Sequence, residues 1–236
     1  MEKLRILRNP LVWLWALPIG GLLLILVAFN GKVTPVKIGQ PVINESAGEI
    51  QGDFNVGQTF YSPYPGLSRI DVLLATYGRT NSGPVTFNLT TSPGDKTKIF
   101  STTFDASGVE DNQYYSFEFT SLSDSQGKTY FFYLEAPSAQ AGNAITAWTD
   151  SRNPYTDGAS YLGGRLSEND LAFVAAFDVS PWQVTEIFLG RLAKGKPGIW
   201  GSEAFYAATF VVYLALAGAF FFYLFRWFVV DKQDRP

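Results

Sequence analysis

The residue types that usually carry chemistry are almost missing from this sequence. Its 236 residues include no histidine, no cysteine and one methionine. Imidazole and thiolate groups supply most zinc ligands, most haem ligands and the common nucleophile–base pairs, so these classes of site are excluded. A bacteriochlorophyll held by an imidazole is excluded for the same reason. The lack of cysteine also leaves the redox compartment undefined.

Carboxylates remain as candidates for catalysis. A glycosidase needs two of them on either side of the scissile bond. The chain offers Asp71, Asp105, Glu118, Asp150, Asp157 and Asp170. No spacing singles out a pair, and solvated strand faces and turn caps account for most of them. No serine or lysine nucleophile motif is present either, so we predict that the chain is not an enzyme.

Calcium is the one metal that the remaining side chains suit, because it binds carboxylate, amide and carbonyl oxygens. The residues that could hold it are Asp150, Asn153, Asp157 and Asp170. Aspartate and asparagine also form turns by bonding to nearby backbone, and we favour this structural role. We therefore predict no bound metal and no cofactor.

Three aromatic residues, Trp148, Tyr155 and Tyr161, follow one another within a short stretch. Aromatic side chains with a polar end can stack on a sugar ring or contact a protein partner. They can equally cover one end of a hydrophobic core, and we favour that role. If the chain binds a ligand or partner through this stretch, these three residues are the predicted contacts.

Two long apolar segments flank the middle of the chain. Residues 11–30 carry no charge over the ~20 residues that a helix needs to cross a bilayer. A cleaved signal peptide is the alternative, but the apolar stretch is too long and ends in a poor cleavage site. The second segment, residues 203–230, begins after Ser202, a good helix N-cap, and carries Glu203 in its first turn. We predict a transmembrane helix at each position.

The second predicted helix has two unlike faces at 100° per residue. Small residues, which let helices approach closely in lipid, are predicted to pack against another helix. They are Ala204, Ala208, Ala215, Gly218 and Ala219. The opposite face is aromatic and points at lipid, a cofactor or another subunit, lipid being the favoured choice. It carries Tyr206, Phe210, Tyr213, Phe220, Phe221 and Phe228.

Positive charge orients such a protein, because lysine and arginine accumulate on the cytoplasmic side. Lys3, Arg5 and Arg8 precede the first span, whereas Lys32 and Lys37 follow it. This difference favours a cytoplasmic N-terminus, and two crossings return the C-terminus to the same side. We predict a bacterial cytoplasmic membrane protein with both termini cytoplasmic and its middle domain outside.

The middle of the chain has the period-two alternation of an antiparallel all-β domain. Val85, Phe87 and Leu89 form one apolar row, and similar rows occur at residues 115–119, 130–134 and 171–177. Turn residues such as Ser92-Pro93-Gly94-Asp95 separate the rows. The spacing predicts a sandwich or jelly roll of about nine strands.

The succession of turn and core residues resembles a known kind of module. The segments that carry the likeness are Gly57-Gln58-Thr59-Phe60, Gly66–Val72, Lys128–Leu134, Asn153–Tyr161 and Asp170–Phe173. They are similar to bacterial extracytoplasmic jelly-roll modules, which are accessory domains of surface and membrane proteins. The resemblance covers about half the chain, mainly positions 57–177, and implies an antiparallel β-sandwich. Modules of this type are often compared with carbohydrate-binding domains, which is an analogy of fold.

The predicted organisation follows the chain in order. It comprises a cytoplasmic N-terminus (1–10), the first span (11–30), a linker with the first strand (31–55), the sandwich (56–180), an interfacial amphipathic connector (181–202), the second span (203–230) and a cytoplasmic tail (231–236). In the connector, Trp182, Phe188 and Leu192 would lie at the acyl boundary, although a plain linking helix is equally consistent.

Two functions agree with this organisation. The first is a non-catalytic accessory or scaffold subunit of a larger bacterial membrane complex, for which a photosynthetic or respiratory assembly is one setting. The second is a membrane-anchored carbohydrate-binding module. The expected partners are the lipid bilayer, other membrane-protein subunits and, for the second function, a glycan. A net charge of −3 without a basic cluster argues against nucleic acid.

Overall fold

The computed structural model describes residues 35–230, and the chain divides into two compact units between Val179 and Ser180. The first predicted span and both predicted tails lie outside the described residues.

The first unit is an antiparallel β-sandwich of thirteen strands. Seven of them form one sheet, in the order β1-β13-β4-β9-β12, with β2 also paired to β9 and β7 to β4. The other six form the second sheet, in the order β11-β10-β3-β8-β5-β6. The strands are β1 Val36–Gln40, β2 Glu45–Ser46, β3 Val56–Ser62, β4 Leu67–Ala75, β5 Pro84–Thr90, β6 Phe100–Asp105, β7 Gln113–Leu122, β8 Lys128–Glu135, β9 Thr146–Asp150, β10 Ser160–Leu162, β11 Arg165–Ser167, β12 Asp170–Leu171 and β13 Phe173–Phe177.

The prediction of an antiparallel β-sandwich is confirmed, but the predicted number of about nine strands is too low. Strands β2, β10, β11 and β12 are only two or three residues long. A run that short cannot show alternation, so the pattern does not reveal it. The segment predicted to hold a linker and the first strand, residues 31–55, contains both β1 and β2.

The core lies between the two sheets and is built from the predicted apolar rows. Val85, Phe87 and Leu89 on β5 are buried, as are Tyr130, Phe132 and Leu134 on β8. The rings of Phe87 and Phe117, one from each sheet, stack with centroids 3.9 Å apart and planes 11° apart. Each fully buried side chain of this size contributes about 1.5–3 kcal/mol of hydrophobic free energy.

A buried polar network also joins the two sheets. Gln58 on β3 accepts a hydrogen bond from the Leu171 backbone N–H (2.9 Å) and donates one to Asp170 Oδ1 (3.0 Å). The Tyr155 N–H donates to Asp170 Oδ2 (2.8 Å). Gln58 and Asp170 are fully buried, and burial raises the pKa of the Asp170 carboxyl. Buried polar groups need such partners, so the network sets how the short strands after residue 150 sit on the sandwich.

The second unit contains helix α1 (Pro181–Ala193), a 3₁₀ turn (Gly198–Gly201) and helix α2 (Glu203–Val230). Helix α1 begins with a capping box, in which the Gln183 N–H donates to Ser180 Oγ and the Ser180 N–H donates to Gln183 Oε1. Helix α2 has a mean hydropathy of 2.0 over Glu203–Leu224, and none of that stretch is buried. By length and composition it could cross a membrane.

Candidate functional site

The outer face of the six-stranded sheet carries a line of registered residues that runs across five strands. Core residues Val56 and Phe60 point inward, so Gly57 between them lies on the outer face. Pairing across the sheet places the following residues in one row: Tyr161 on β10, Gly57 on β3, Tyr133 on β8, Asn88 on β5 and Ser101 on β6.

Gly57 allows an aromatic ring to cover its strand. A Cβ atom built on Gly57 would lie 2.6 Å from Phe131 Cζ and 2.6 Å from the Phe132 carbonyl oxygen, which is closer than real contacts allow. Phe131 therefore rests on the bare backbone between Tyr133 and Tyr161. Its ring is stacked with Tyr133 (centroids 5.5 Å apart) and meets Tyr161 edge to face (5.3 Å). We call Phe131, Tyr133 and Tyr161 the aromatic platform.

A row of hydrogen-bonded polar side chains borders the platform on the side of β5 and β6. Ser101 Oγ donates to Asn88 Oδ1 (2.8 Å), and Asn88 Nδ2 donates to Glu135 Oε1 (2.9 Å). Lys98 Nζ lies 3.8 Å from the same carboxylate oxygen. Because Asn88 is fully buried, its contacts hold Glu135 in place beside the rings.

Two turns form the walls of the resulting groove, which has a volume of about 510 Å³. One wall is the loop at Pro93–Lys96, where Asp95 accepts hydrogen bonds from Thr91 Oγ1 (2.6 Å) and the Thr97 N–H (2.9 Å). These bonds hold the pKa of Asp95 below its usual value. The other wall is Asn55 with Gly164, whose N–H donates to Asn55 Oδ1 (3.0 Å).

The groove combines an apolar floor with hydrogen-bonding groups on both sides. Burial, with a contribution from Glu135, raises the pKa of the Tyr133 phenol, which therefore stays protonated and can donate a hydrogen bond. Binding sites for small molecules are mostly apolar with a few fixed polar groups, and their volumes are about 300–1,000 Å³. This groove fits that description and suits a ligand with flat apolar faces and hydroxyl edges.

The three aromatic residues predicted to bind a ligand lie in different places. Tyr161 belongs to the platform. Trp148 lies on the outer face of the other sheet, because its neighbour Ala147 points into the core. Tyr155 is partly buried against the core, where it packs edge to face on Phe173 at 5.3 Å, and this burial raises its pKa to about 12.

Sequence reasoning missed the residues of the groove on β8. The stretch from Tyr130 to Leu134 was recognised only for its inward row, yet Phe131 and Tyr133 alternate with that row and must face outward. Aromatic residues on both faces of one strand were the signal. The register that brings Tyr161 beside them was not readable from the sequence.

The four calcium candidates do not converge. Asp150 and Asp170 oppose each other on β9 and β12. The Asp150 carboxylate accepts a hydrogen bond from Arg152, whereas the Asp170 carboxylate accepts hydrogen bonds from Gln58 and from the Tyr155 N–H. Hydrogen bonds from Arg152 lower the pKa of Asp150 to about 2. Asn153 and Asp157 are exposed. Within residues 35–230 no three histidine, cysteine, aspartate or glutamate side chains are grouped as a metal site.

Residues on both predicted faces of α2 are exposed. The small residues Ala204, Ala208, Ala215, Gly218 and Ala219 are exposed. Phe210, Tyr213, Phe220 and Phe221 on the aromatic face are 55–66% exposed. Tyr206 is held by Lys196, whose Nζ donates to its hydroxyl (2.9 Å). The side chain of Phe228 lies outside the described part of the chain.

The fold and these features define a β-sandwich protein that carries, within residues 35–230, one apolar helix long enough to span a bilayer. No family model and no curated protein matches the chain. Among solved structures, the crystal structure of a ruminal GH26 endo-beta-1,4-mannanase matches with a TM-score of 0.29 and 6% sequence identity. The match covers 70% of this chain, which spans 30% of that enzyme. A likeness this low carries no argument about function.

Proposed function

We propose that this chain is a membrane-anchored, non-catalytic glycan-binding module. The observation that supports the proposal is the aromatic platform, Phe131, Tyr133 and Tyr161, on an open face of the sandwich. Tyr133 and Tyr161 are partly exposed and form the apolar floor, and Phe131, which is 7% exposed, packs against both rings. The floor is bordered by a carboxylate and an amide whose hydrogen bonds are already oriented.

A sugar ring matches this chemistry better than a fully apolar ligand does. Pyranose rings present C–H groups on their faces and hydroxyls around their edges, so the faces can stack on aromatic rings while the hydroxyls reach Glu135 or Lys98, which both line the groove. The groove volume of about 510 Å³ accommodates more than one ring. A segment of a longer glycan is therefore the proposed ligand.

The same proposal extends to location. We infer that α2 anchors the domain in the bacterial cytoplasmic membrane, that the sandwich is a jelly-roll-like module on the outer side, and that both termini are cytoplasmic. The apolar stretch Glu203–Leu224 supports the anchor. The orientation follows from the positive charges before the first predicted span.

The test is glycan binding by the full-length chain in detergent, first on a glycan array and then by titration with the strongest ligand. Tyr133→Ala and Tyr161→Ala should each weaken binding about two- to twelvefold, since one ring contact contributes about 0.5–1.5 kcal/mol. Tyr114→Ala is the matched control because Tyr114 is an exposed tyrosine (41%) on the other sheet. An array without any binding, or platform variants that bind as the parent does, would reject the proposal.

A second function, a scaffold or accessory subunit of a larger membrane complex, is favoured by α2. The helix exposes both a small-residue face and an aromatic face along its apolar length, and small faces suit close helix packing. In this case the sandwich would dock on or cover partner subunits.

Native gels of the chain extracted in mild detergent test the subunit function. Ala215→Leu or Ala219→Leu should release the chain from its complex, because overpacking typically costs about 1–3 kcal/mol. Phe210→Leu and Phe221→Leu keep the opposite face apolar and should matter only if those rings meet protein or cofactor. A parent chain that migrates alone, without other subunits, would contradict this function.

A further inference from the structure

A second aromatic site lies on the opposite side of the sandwich, on the outer face of the seven-stranded sheet. Its floor consists of two small side chains, Ala75 on β4 and Thr146 on β9, which are register partners. Its walls are the rings of Tyr77 and Trp148, and its volume is about 260 Å³. We call it the aromatic slot.

Hydrogen bonds fix both walls of the slot. The Trp148 indole N–H donates to Asn112 Oδ1 (2.7 Å), and the Tyr77 hydroxyl lies 3.3 Å from Ser46 Oγ. Asp111, at the rim, accepts hydrogen bonds from the Thr76 N–H (2.6 Å) and the Thr76 hydroxyl (2.9 Å). These bonds hold the pKa of Asp111 below its usual value, so its carboxylate is charged at neutral pH.

The backbone at the slot is held in an unusual conformation. Tyr77 and Asn112 both have φ of 58°, in the left-handed region. Asparagine enters this region readily, whereas for a bulky side chain such as tyrosine it costs about 1–3 kcal/mol. The Arg79 guanidinium lies 4.8 Å from the centre of the Tyr77 ring and is itself paired with Glu49 at 2.6 Å. A tyrosine kept in strained backbone by its neighbours, at the wall of a cleft, indicates that the ring has a use there.

We propose that the aromatic slot binds a single pyranose ring, such as the terminal sugar of a glycan, between Tyr77 and Trp148. The slot is smaller than the 300–1,000 Å³ of sites for drug-sized ligands, so it suits one ring. The two aromatic walls offer stacking surfaces, and Asp111 with Ser46 offers partners for hydroxyl groups. The slot shares no residue with the groove, so a sugar can bind in the slot whether or not the groove binds a glycan.

The test uses the full-length chain in detergent, labelled with 5-fluorotryptophan. The sequence has six tryptophans, and Trp148→Phe assigns the resonance of Trp148 in ¹⁹F NMR spectra. The probes are the methyl glycosides of glucose, mannose, galactose and N-acetylglucosamine. At least one should shift the Trp148 resonance in a saturable way, and Tyr133→Ala, which damages only the groove, should leave that response intact.

Two variants then locate the binding. Tyr77→Asn removes the wall but suits the left-handed backbone, so it should weaken binding about tenfold without lowering the melting temperature. Ala75→Leu fills the slot from its floor and should abolish binding, which keeps the test decisive if Tyr77→Asn folds poorly.

Three results would overturn the proposal. The first is that no methyl glycoside shifts the Trp148 resonance. Tetramethylammonium is added as a separate probe, and a shift with this cation alone would show that the slot is a cation site. The second is that a shift persists unchanged in both Tyr77→Asn and Ala75→Leu. The third is that Tyr133→Ala removes the response, which would assign it to the groove.

Discussion

Gly57→Ala tests whether the aromatic platform depends on a missing side chain. The new methyl group would lie 2.6 Å from Phe131 Cζ and 2.7 Å from Phe131 Cε2. Carbon atoms pack at about 3.5–4.0 Å, so the tip of the ring must move by about 1 Å. The Phe132 carbonyl, 2.6 Å from the same position, cannot move without disturbing the pairing of β3 with β8.

Two opposing effects set the expected magnitude. Replacing glycine by alanine where the backbone permits it stabilises a protein by about 0.4–1 kcal/mol through the unfolded chain. Forcing a methyl group into a packed site costs about 1–3 kcal/mol. The second effect is larger, so we expect Gly57→Ala to lower the free energy of unfolding by about 1–2 kcal/mol. Glycan binding should fall as well, because the displaced Phe131 ring no longer supports Tyr133 and Tyr161.

The assay is urea unfolding of the full-length chain in detergent, followed by circular dichroism, with glycan binding measured on the same samples. Gly108→Ala is the matched control, because no atom lies within 4 Å of its added Cβ and its φ is not in the left-handed region. The control should be neutral or slightly stabilising. If Gly57→Ala behaved like Gly108→Ala in both measurements, the account of the platform would be refuted.

Further predictions concern acid, the buried network and topology. Because Arg152 lowers the pKa of Asp150 from 3.8 to about 2, the stability from this pair is present above pH 3.8 and should be lost as the pH falls towards 2; melting temperatures of the parent and of Arg152→Gln should then converge. Asp170 has a raised pKa, so its protonation favours the folded state and its contribution declines as the pH rises through that pKa. Asp170→Ala should cost about 2–5 kcal/mol in urea unfolding, because it leaves two buried donors unpaired, whereas exposed Asp157→Ala should stay within about 0.5 kcal/mol. Protease added to right-side-out spheroplasts should cut the sandwich or its linkers and spare a tag at either terminus, and loss of a C-terminal tag would disprove the proposed topology.

Local sequence patterns were sufficient to predict which residues form the core and where the apolar helix runs. Phe87, Phe132 and Phe173 lie on alternating rows, and a strand with one buried face can satisfy that alternation in only one way. The helix over residues 203–230 follows from a long apolar run, with Arg226 as its one charge after the first turn, that begins after a good N-cap. The short strands β10 and β12 were not predictable, because two or three residues carry no period and their partners β3 and β9 are distant in sequence.

The sequence by itself determined which residues face inward, where an apolar helix runs, and that imidazole and thiolate chemistry is absent. The tertiary structure alone decided which aromatic residues meet. Tyr161 and Tyr133 become neighbours because β10 and β8 pair on either side of β3, whose Gly57 leaves room for Phe131 between them. Trp148, closer in sequence to Tyr161 than Tyr133 is, lies on the other sheet. The physical reason is that the order of strands in a sheet comes from long-range backbone pairing, which the residue types along a single strand do not specify.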